Sequence, residues 1–138
     1  MARILVMEDD TPLGLELLAE LRKAGHEPDL TGSAAEAKEA LWHWDYDLLI
    51  TDMIVRQEGR AKPGGGLDLI GWVRQRRLAT PILKHIPVIA VSGEARRRGM
   101  QFLLPTAERI GADVVLEKPV DLTVLLAEIA RLVPADTP

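Results

Sequence analysis

Residues 48–55 read LLITDMIV, an apolar run with a single carboxylate, Asp52, set into it. Burying an unpaired carboxylate costs on the order of several kcal/mol unless a nearby charge compensates it. A chain that keeps an acid there must supply a cation from somewhere else in the fold. DLLITD (47–52) reads as a strand, and RILVM (3–7), opened by one arginine, reads as a strand buried on both faces.

Short apolar runs alternate with helical patterns along the rest of the chain. Thr11-Pro12 suits a hydroxyl cap with proline at the first helical position, and Asp10, or else Asp9, could cap the same helix instead. Leu13, Leu17, Leu18 and Leu21 then share one helical face, and Gly25 stops the helix. A weak strand lies in HEPDLT (26–31), where Pro28 suits a sheet edge. Ser33-Ala34-Ala35-Glu36 is a capping box opening a helix with the face Ala37, Ala40, Leu41 and Trp44. Residues 53–66 read as a loop with Pro63 and Gly64, Gly65 and Gly66. Leu67, Ile70 and Val73 mark a third helix, followed by the strand IPVIAVS (86–92). Gly99 and Pro105 interrupt a partly helical stretch at 94–110. VVLE (114–117) is a fifth strand, and Leu122, Leu125, Leu126, Ile129 and Leu132 form the face of a last helix ended by Pro134. Five strands alternating with helices predict an α/β fold, a doubly wound parallel sheet with helices on both faces. Its expected extent is a single domain over 1–134 with a frayed tail at 135–138.

Composition narrows the chemistry. With no cysteine among 138 residues, disulfides and thiolate metal sites are excluded. A net charge of −4 argues against nucleic acid or an anionic membrane as the main partner. No apolar stretch reaches the roughly 18–20 residues needed to cross a bilayer, and no signal-peptide pattern opens the chain, so a cytoplasmic protein is expected. His26, His43 and His85 have no partner at ligand spacing and read as structural, and Trp42, Trp44 and Trp72 as packing residues. Arg74, Arg76 and Arg77, with Arg96, Arg97 and Arg98, read as a solvated face. Gly64, Gly65 and Gly66 lack the Lys-Ser/Thr that would follow in a phosphate-binding loop.

In a doubly wound sheet, ligands gather beyond the carboxyl ends of the strands. Glu8, Asp9 and Asp10 follow the first strand and Asp52 ends the third; Ser92-Gly93 ends the fourth and Lys118-Pro119 follows the fifth. Acids, a hydroxyl and an ammonium therefore converge on one rim. Oxygen donors without cysteine or spaced histidine select a hard divalent ion, and Mg²⁺ is favoured because it leaves room for phosphate oxygens. An ionised Asp52 beside such an ion can act as a nucleophile toward phosphorus, with Lys118 and Ser92 supporting the phosphoryl group.

VMEDD (6–10), DLLITDM (47–53), PVIAVSG (87–93) and GADVVLEKP (111–119), in this order and each at a strand end, resemble the receiver domain of two-component response regulators over the whole chain. The resemblance implies the strand order 2-1-3-4-5. It makes Asp52 the phosphoacceptor and Asp9 a direct Mg²⁺ ligand, with Glu8 acting through metal-bound water. The backbone carbonyl of Ile54 completes the ligand set, Ser92 is the switch hydroxyl, and Lys118 is the lysine facing the phosphoryl group. The implied function is a stand-alone response regulator that takes a phosphoryl group from a phosphohistidine on a histidine kinase or phosphotransfer protein. It would then switch contacts with a downstream protein or relay the group onward. It would catalyse its own phosphorylation and slow dephosphorylation without being a turnover enzyme. Direct nucleic-acid binding and membrane insertion are not expected, and a homodimer is left open.

Four departures qualify this. Arg56 stands where the family usually has proline, and Gly66 lies fourteen residues past Asp52 where about eight is usual, so the 53–66 segment is enlarged by about six residues. The stretch from Ser92 to Gly111 is longer than usual by about four. Val115 replaces a residue that is often aromatic and coupled to the switch hydroxyl, so the 94–110 segment is expected to carry the conformational change. Val115 and the altered loops motivate a rival reading, a receiver-like binding module that works without phosphorylation. A phosphohydrolase with an aspartyl nucleophile would need a second acid at position 54, which is Ile. An apolar residue there cannot orient an attacking water. Slow self-dephosphorylation is therefore expected, and a phosphoryl lifetime of only seconds without a phosphatase would contradict it.

Overall fold

The computed structural model describes residues 1–57, 60–63, 65–76, 86–93 and 103–134. Glu58, Gly59, Gly64, Arg77, His85, Gly99, the 94–102 part of the enlarged segment with Arg96, Arg97 and Arg98, and the tail at 135–138 lie outside them. In chain order the elements are β1 (Arg3–Met7), α1 (Thr11–Lys23), β2 (Glu27–Thr31), α2 (Ala34–His43), β3 (Leu48–Asp52), β4 (Ile54–Gln57) and β5 (Arg60–Pro63). They continue with α3 (Gly65–Arg76), β6 (Val88–Ser92), α4 (Leu103–Ile110), β7 (Val114–Glu117) and α5 (Leu122–Leu132). The main sheet has five parallel strands in the order β2-β1-β3-β6-β7, which is the expected 2-1-3-4-5 once the hairpin strands β4 and β5 are set apart.

Strand geometry explains the two cores. Successive side chains on a strand point to opposite faces. Leu5 and Met7 of β1, Leu49 of β3, and Val88 and Ala90 of β6 therefore join Ala37 and Leu41 of α2 and Leu69, Ile70 and Val73 of α3. Their strand neighbours Ile4, Val6, Leu48, Ile50, Ile89 and Val91 join Leu18 and Leu21 of α1 and Leu125 and Ile129 of α5. β3 is buried at every position because it has a helical layer on each side. Asp52 follows Leu48 and Ile50 by strand parity, so it belongs to the α1/α5 side.

Several local expectations change. Of the caps the sequence offers for α1, Asp10 is the one used and Thr11 is not: the Asp10 backbone is extended and its Oδ1 accepts a hydrogen bond from the Leu13 amide at 3.1 Å, while Thr11 is the first helical residue. Gly25 after α1 has φ of +91°, the left-handed region where glycine costs least. Ser33 caps α2 as expected, accepting from the Glu36 amide at 3.2 Å, but Glu36 reaches back to the Gly32 amide rather than to its cap residue. Trp44 ends α2 in extended backbone and is exposed, as is Trp42, so neither packs in the core; Trp72 is half-buried against it. Pro28 sits on the edge strand. Residues 54–57 and 60–63 are not plain loop: β4 and β5 pair antiparallel, Ile54 with Pro63 through Gln57 with Arg60, as a ribbon separate from the main sheet.

Arg74 corrects another expectation, since it is not part of a solvated basic face. Its Nε and Nη2 donate to the Gly111 carbonyl at 3.0 and 2.8 Å, and its Nη1 to the Ile86 carbonyl at 2.8 Å. Nη2 also pairs with Asp113 at 2.9 Å, and the same Asp113 oxygen accepts from the Val88 amide at 2.8 Å. Gly111 has φ of +130°, and a Cβ there would lie 2.8 Å from Arg74 Cγ. The guanidinium thus ties α3 to the entry of β6 and the turn before β7, the two strands whose far ends carry Ser92 and Lys118. Arg74→Ala should lower stability by about 2–3 kcal/mol, because it leaves two carbonyls and a carboxylate without their charged donor. Arg74→Lys should recover little, lacking the planar fork. Urea unfolding of the three proteins tests this, and an unchanged midpoint for the alanine variant would contradict it.

Candidate functional site

One backbone bond past each strand end holds the site residues in place. The Glu8 amide donates to Thr31 at the end of β2, and the Lys118 amide to Ser92 at the end of β6, at 2.9 and 3.0 Å. The Met53 amide donates to Val91 at 3.0 Å, which holds the chain just after Asp52. Glu8, Asp52, Ser92 and Lys118 are thus continuations of the ladder, with no freedom to diverge. Thr31, which sequence reading treated only as a strand end, is buried and donates through Oγ1 to the Val6 carbonyl at 3.1 Å.

The side chains meet at the carboxyl rim. Lys118 Nζ donates to Glu8 Oε1 at 2.5 Å and to Asp52 Oδ2 at 3.1 Å. Glu8 and Asp52 are 6% and 7% exposed, so both acids are largely out of water and share one ammonium. The other Glu8 oxygen accepts from the Asp10 amide at 3.3 Å. Asp9 joins them: Glu8, Asp9 and Asp52 each offer an oxygen, all within 4.8 Å of one another. Ser92 is buried at the end of β6. Gly93 is exposed, and a Cβ there would touch the Lys118 stem at 3.5 Å. The Lys118–Pro119 peptide is cis. Ile54, the expected carbonyl ligand, begins β4 two residues after Asp52. Val115 is half-buried and packs against the core on the α3 side.

Electrostatics decides what the cluster can hold. At an effective dielectric near 20, each carboxylate pair at such separations repels by about 3–4 kcal/mol. Three carboxylates thus crowd around one lysine. Burial pushes the Glu8 carboxyl up to about 7; the Lys118 hydrogen bond pulls it down, but the Asp52 charge adds to the rise. Burial alone would lower Lys118, yet its bond to Glu8 and the charges of Asp52 and Glu8 hold it above the ordinary lysine value. An all-oxygen donor set with excess negative charge fits a hard divalent cation.

A groove of about 790 Å³ opens beside these groups, between α1 and residues 118–122. Leu13, Leu17, Val120 and Leu122 supply apolar walls, Glu16 and Glu20 lie along the α1 side, and Glu8, Asp52 and Lys118 also line it. The sequence signal for this groove was the α1 stripe that includes Leu13 and Leu17, which reads equally well as core.

The raised Glu8 value has a stability consequence. Between pH 4.5 and about 7 the folded chain holds a proton that the unfolded chain releases, so this group's contribution falls as pH rises through that window. Without divalent cations, Glu8→Gln should be more stable than the parent at pH 8, by about 1–3 kcal/mol, and the gap should shrink toward pH 5. Chemical unfolding in a chelator at both pH values tests this, and a Gln variant that is less stable at pH 8 would refute it.

Comparison with known proteins places the fold. No protein-family model matches the chain. It is 35% identical over 132 residues to the DNA-binding transcriptional regulator NtrC of a Bradyrhizobium species, an alignment covering 93% of this chain and 23% of that protein. The chain spans about a quarter of the length of the NtrC relatives it matches. Among solved structures, the receiver domain of a Pseudomonas aeruginosa sensor histidine kinase, with magnesium coordinated in its active-site cleft, matches with a TM-score of 0.77 and 21% identity. That match covers 97% of this chain and 98% of the other. The Thermotoga maritima response regulator TrrA, in complex with Mg²⁺ and BeF, matches with a TM-score of 0.75 and 23% identity over 96% and 99% of the two chains.

Proposed function

Since the chain belongs to the receiver-domain family of two-component response regulators, we propose that it accepts a phosphoryl group on Asp52. The donor is a phosphohistidine on a histidine kinase or phosphotransfer protein. The observation that carries this reading is the buried Asp52 carboxylate, bonded to Lys118 and grouped with Glu8 and Asp9.

In the transfer, an Asp52 oxygen forms a bond to phosphorus as the P–N bond to the donor imidazole breaks. The imidazole nitrogen leaves with the electron pair and is protonated from water. Glu8, Asp9, Asp52 and the Ile54 carbonyl would hold Mg²⁺, which when bound offsets charge on the phosphoryl oxygens. Lys118, which now bridges Glu8 and Asp52, would donate to a phosphoryl oxygen as Asp52 becomes an acyl phosphate. Ser92 would donate a hydrogen bond to the arrived group. Receiver domains are signalling modules rather than turnover enzymes. The output proposed here is changed contact with another protein, or onward relay, in the cytoplasm. Among the described residues no helix is long and apolar enough to cross a membrane.

Val115 favours one rival: with no ring at this core-packed position, a module that binds partners without phosphorylation is the alternative. One measurement separates the two readings. Incubated with Mg²⁺ and a small phosphodonor, the intact protein should gain one phosphoryl mass, and Asp52→Asn should gain none. Calorimetry should show Mg²⁺ binding weakened by roughly 10-fold or more in Asp9→Asn. An unmodified parent protein would favour the binding module.

A further inference from the structure

The segment between Asp52 and α3 differs in charge from the rest of the chain. Over residues 54–63 it carries Arg56, Arg60 and Lys62 against the single acid Glu58, a net of +2 in a chain of net −4. Six further residues in this segment could simply have lengthened a polar loop. Instead, the backbone forms an antiparallel ribbon that pairs within itself and lies against α3.

Chain geometry bounds where those basic residues sit. β4 starts two residues after Asp52, so Arg56, four residues on, lies at most about 14 Å from Asp52 by the reach of an extended chain. Lys62 is the register partner of Val55, and Arg60 of Gln57, and paired residues lie about 5 Å apart. By that reach Arg56 and Lys62 lie within about two Debye lengths of Asp52 at physiological salt, and Arg60 within about 22 Å. A phosphodonor is an anion, and a chain of net −4 with three acids around its acceptor repels it. Positive charge carried on a ribbon near the acceptor opposes that repulsion.

Building on the phosphoryl-acceptor reading above, we infer that the β4–β5 ribbon is an electrostatic guide. Arg56, Arg60 and Lys62 draw anionic phosphodonors to Asp52 and set the rate at which it is loaded.

The test uses phosphoramidate as donor at fixed Mg²⁺, with loading followed by intact mass at low and high ionic strength. Replacing Arg56, Arg60 and Lys62 together by alanine should slow loading about 10-fold at low salt. The difference should close as salt rises, because screening removes what the substitutions removed. The charge-keeping pair Arg56→Lys and Arg60→Lys should load like the parent. The single variant Arg60→Ala should show part of the loss, which covers the case in which the triple variant fails to fold. Equal loading by parent and Arg60→Ala, and by any folded triple variant, would overturn the guide while leaving Asp52 as acceptor. So would a loss that salt does not diminish or that the lysine pair shares. Absence of phosphoryl on the parent's Asp52 would overturn the acceptor reading, and the guide with it.

Discussion

The Lys118 ammonium between Glu8 and Asp52 is the constraint around which the carboxyl rim is organised. Its two partners lie 110 and 66 positions away in sequence, and each belongs to a different strand end. Two largely buried carboxylates this close are tolerable only with a cation between them. Asp9 brings a third carboxylate oxygen within 4.8 Å of those of Glu8 and Asp52. Three carboxylates gathered this closely are the physical basis for expecting a divalent ion there.

Strand parity turns that cluster into a reachable one. Asp52 shares its side of the sheet with Leu48 and Ile50, facing α1 and α5, and the groove between α1 and residues 118–122 runs up to it. A slip of one residue in β3 would send the carboxylate to the opposite layer, among Leu49, Val88 and the α2 and α3 side chains. Register is held at both ends of the sheet. At the carboxyl rim, the amides of Glu8, Met53 and Lys118 extend the ladder. At the other end, Arg74 gathers the entry of β6, the Gly111 turn and Asp113. The inserted ribbon is accommodated because β4 and β5 satisfy their pairing with each other, so the parallel sheet is left as it would be without them.

Much of this was legible in the linear pattern because burial and periodicity leave traces that need no partner. Unbroken apolar runs such as RILVM and LLITD marked strands covered on both faces, and the spacing in the last helix marked its buried stripe. Polar residues placed directly after such runs identified Glu8, Asp9, Asp52, Ser92 and Lys118 as neighbours on one rim, since a parallel sheet puts every strand's carboxyl end on the same side. Residues whose partners are remote were misread. Arg74 looked like one more charge on a solvated helix, because its acceptors at Ile86, Gly111 and Asp113 come from other segments. Trp44 fitted a helical stripe, but α2 ends just before it.

The amino-acid order by itself determined the fold class, the positions of the five main-sheet strands and the list of groups gathered at the rim, because each rests on local alternation of apolar and polar residues. Only the tertiary structure decided that Lys118 bonds Glu8 as well as Asp52, that Arg74 is tied to Ile86, Gly111 and Asp113, and that residues 54–57 and 60–63 pair into a basic ribbon. Those outcomes depend on distances between atoms brought together by folding, and a one-dimensional pattern carries no distance between segments.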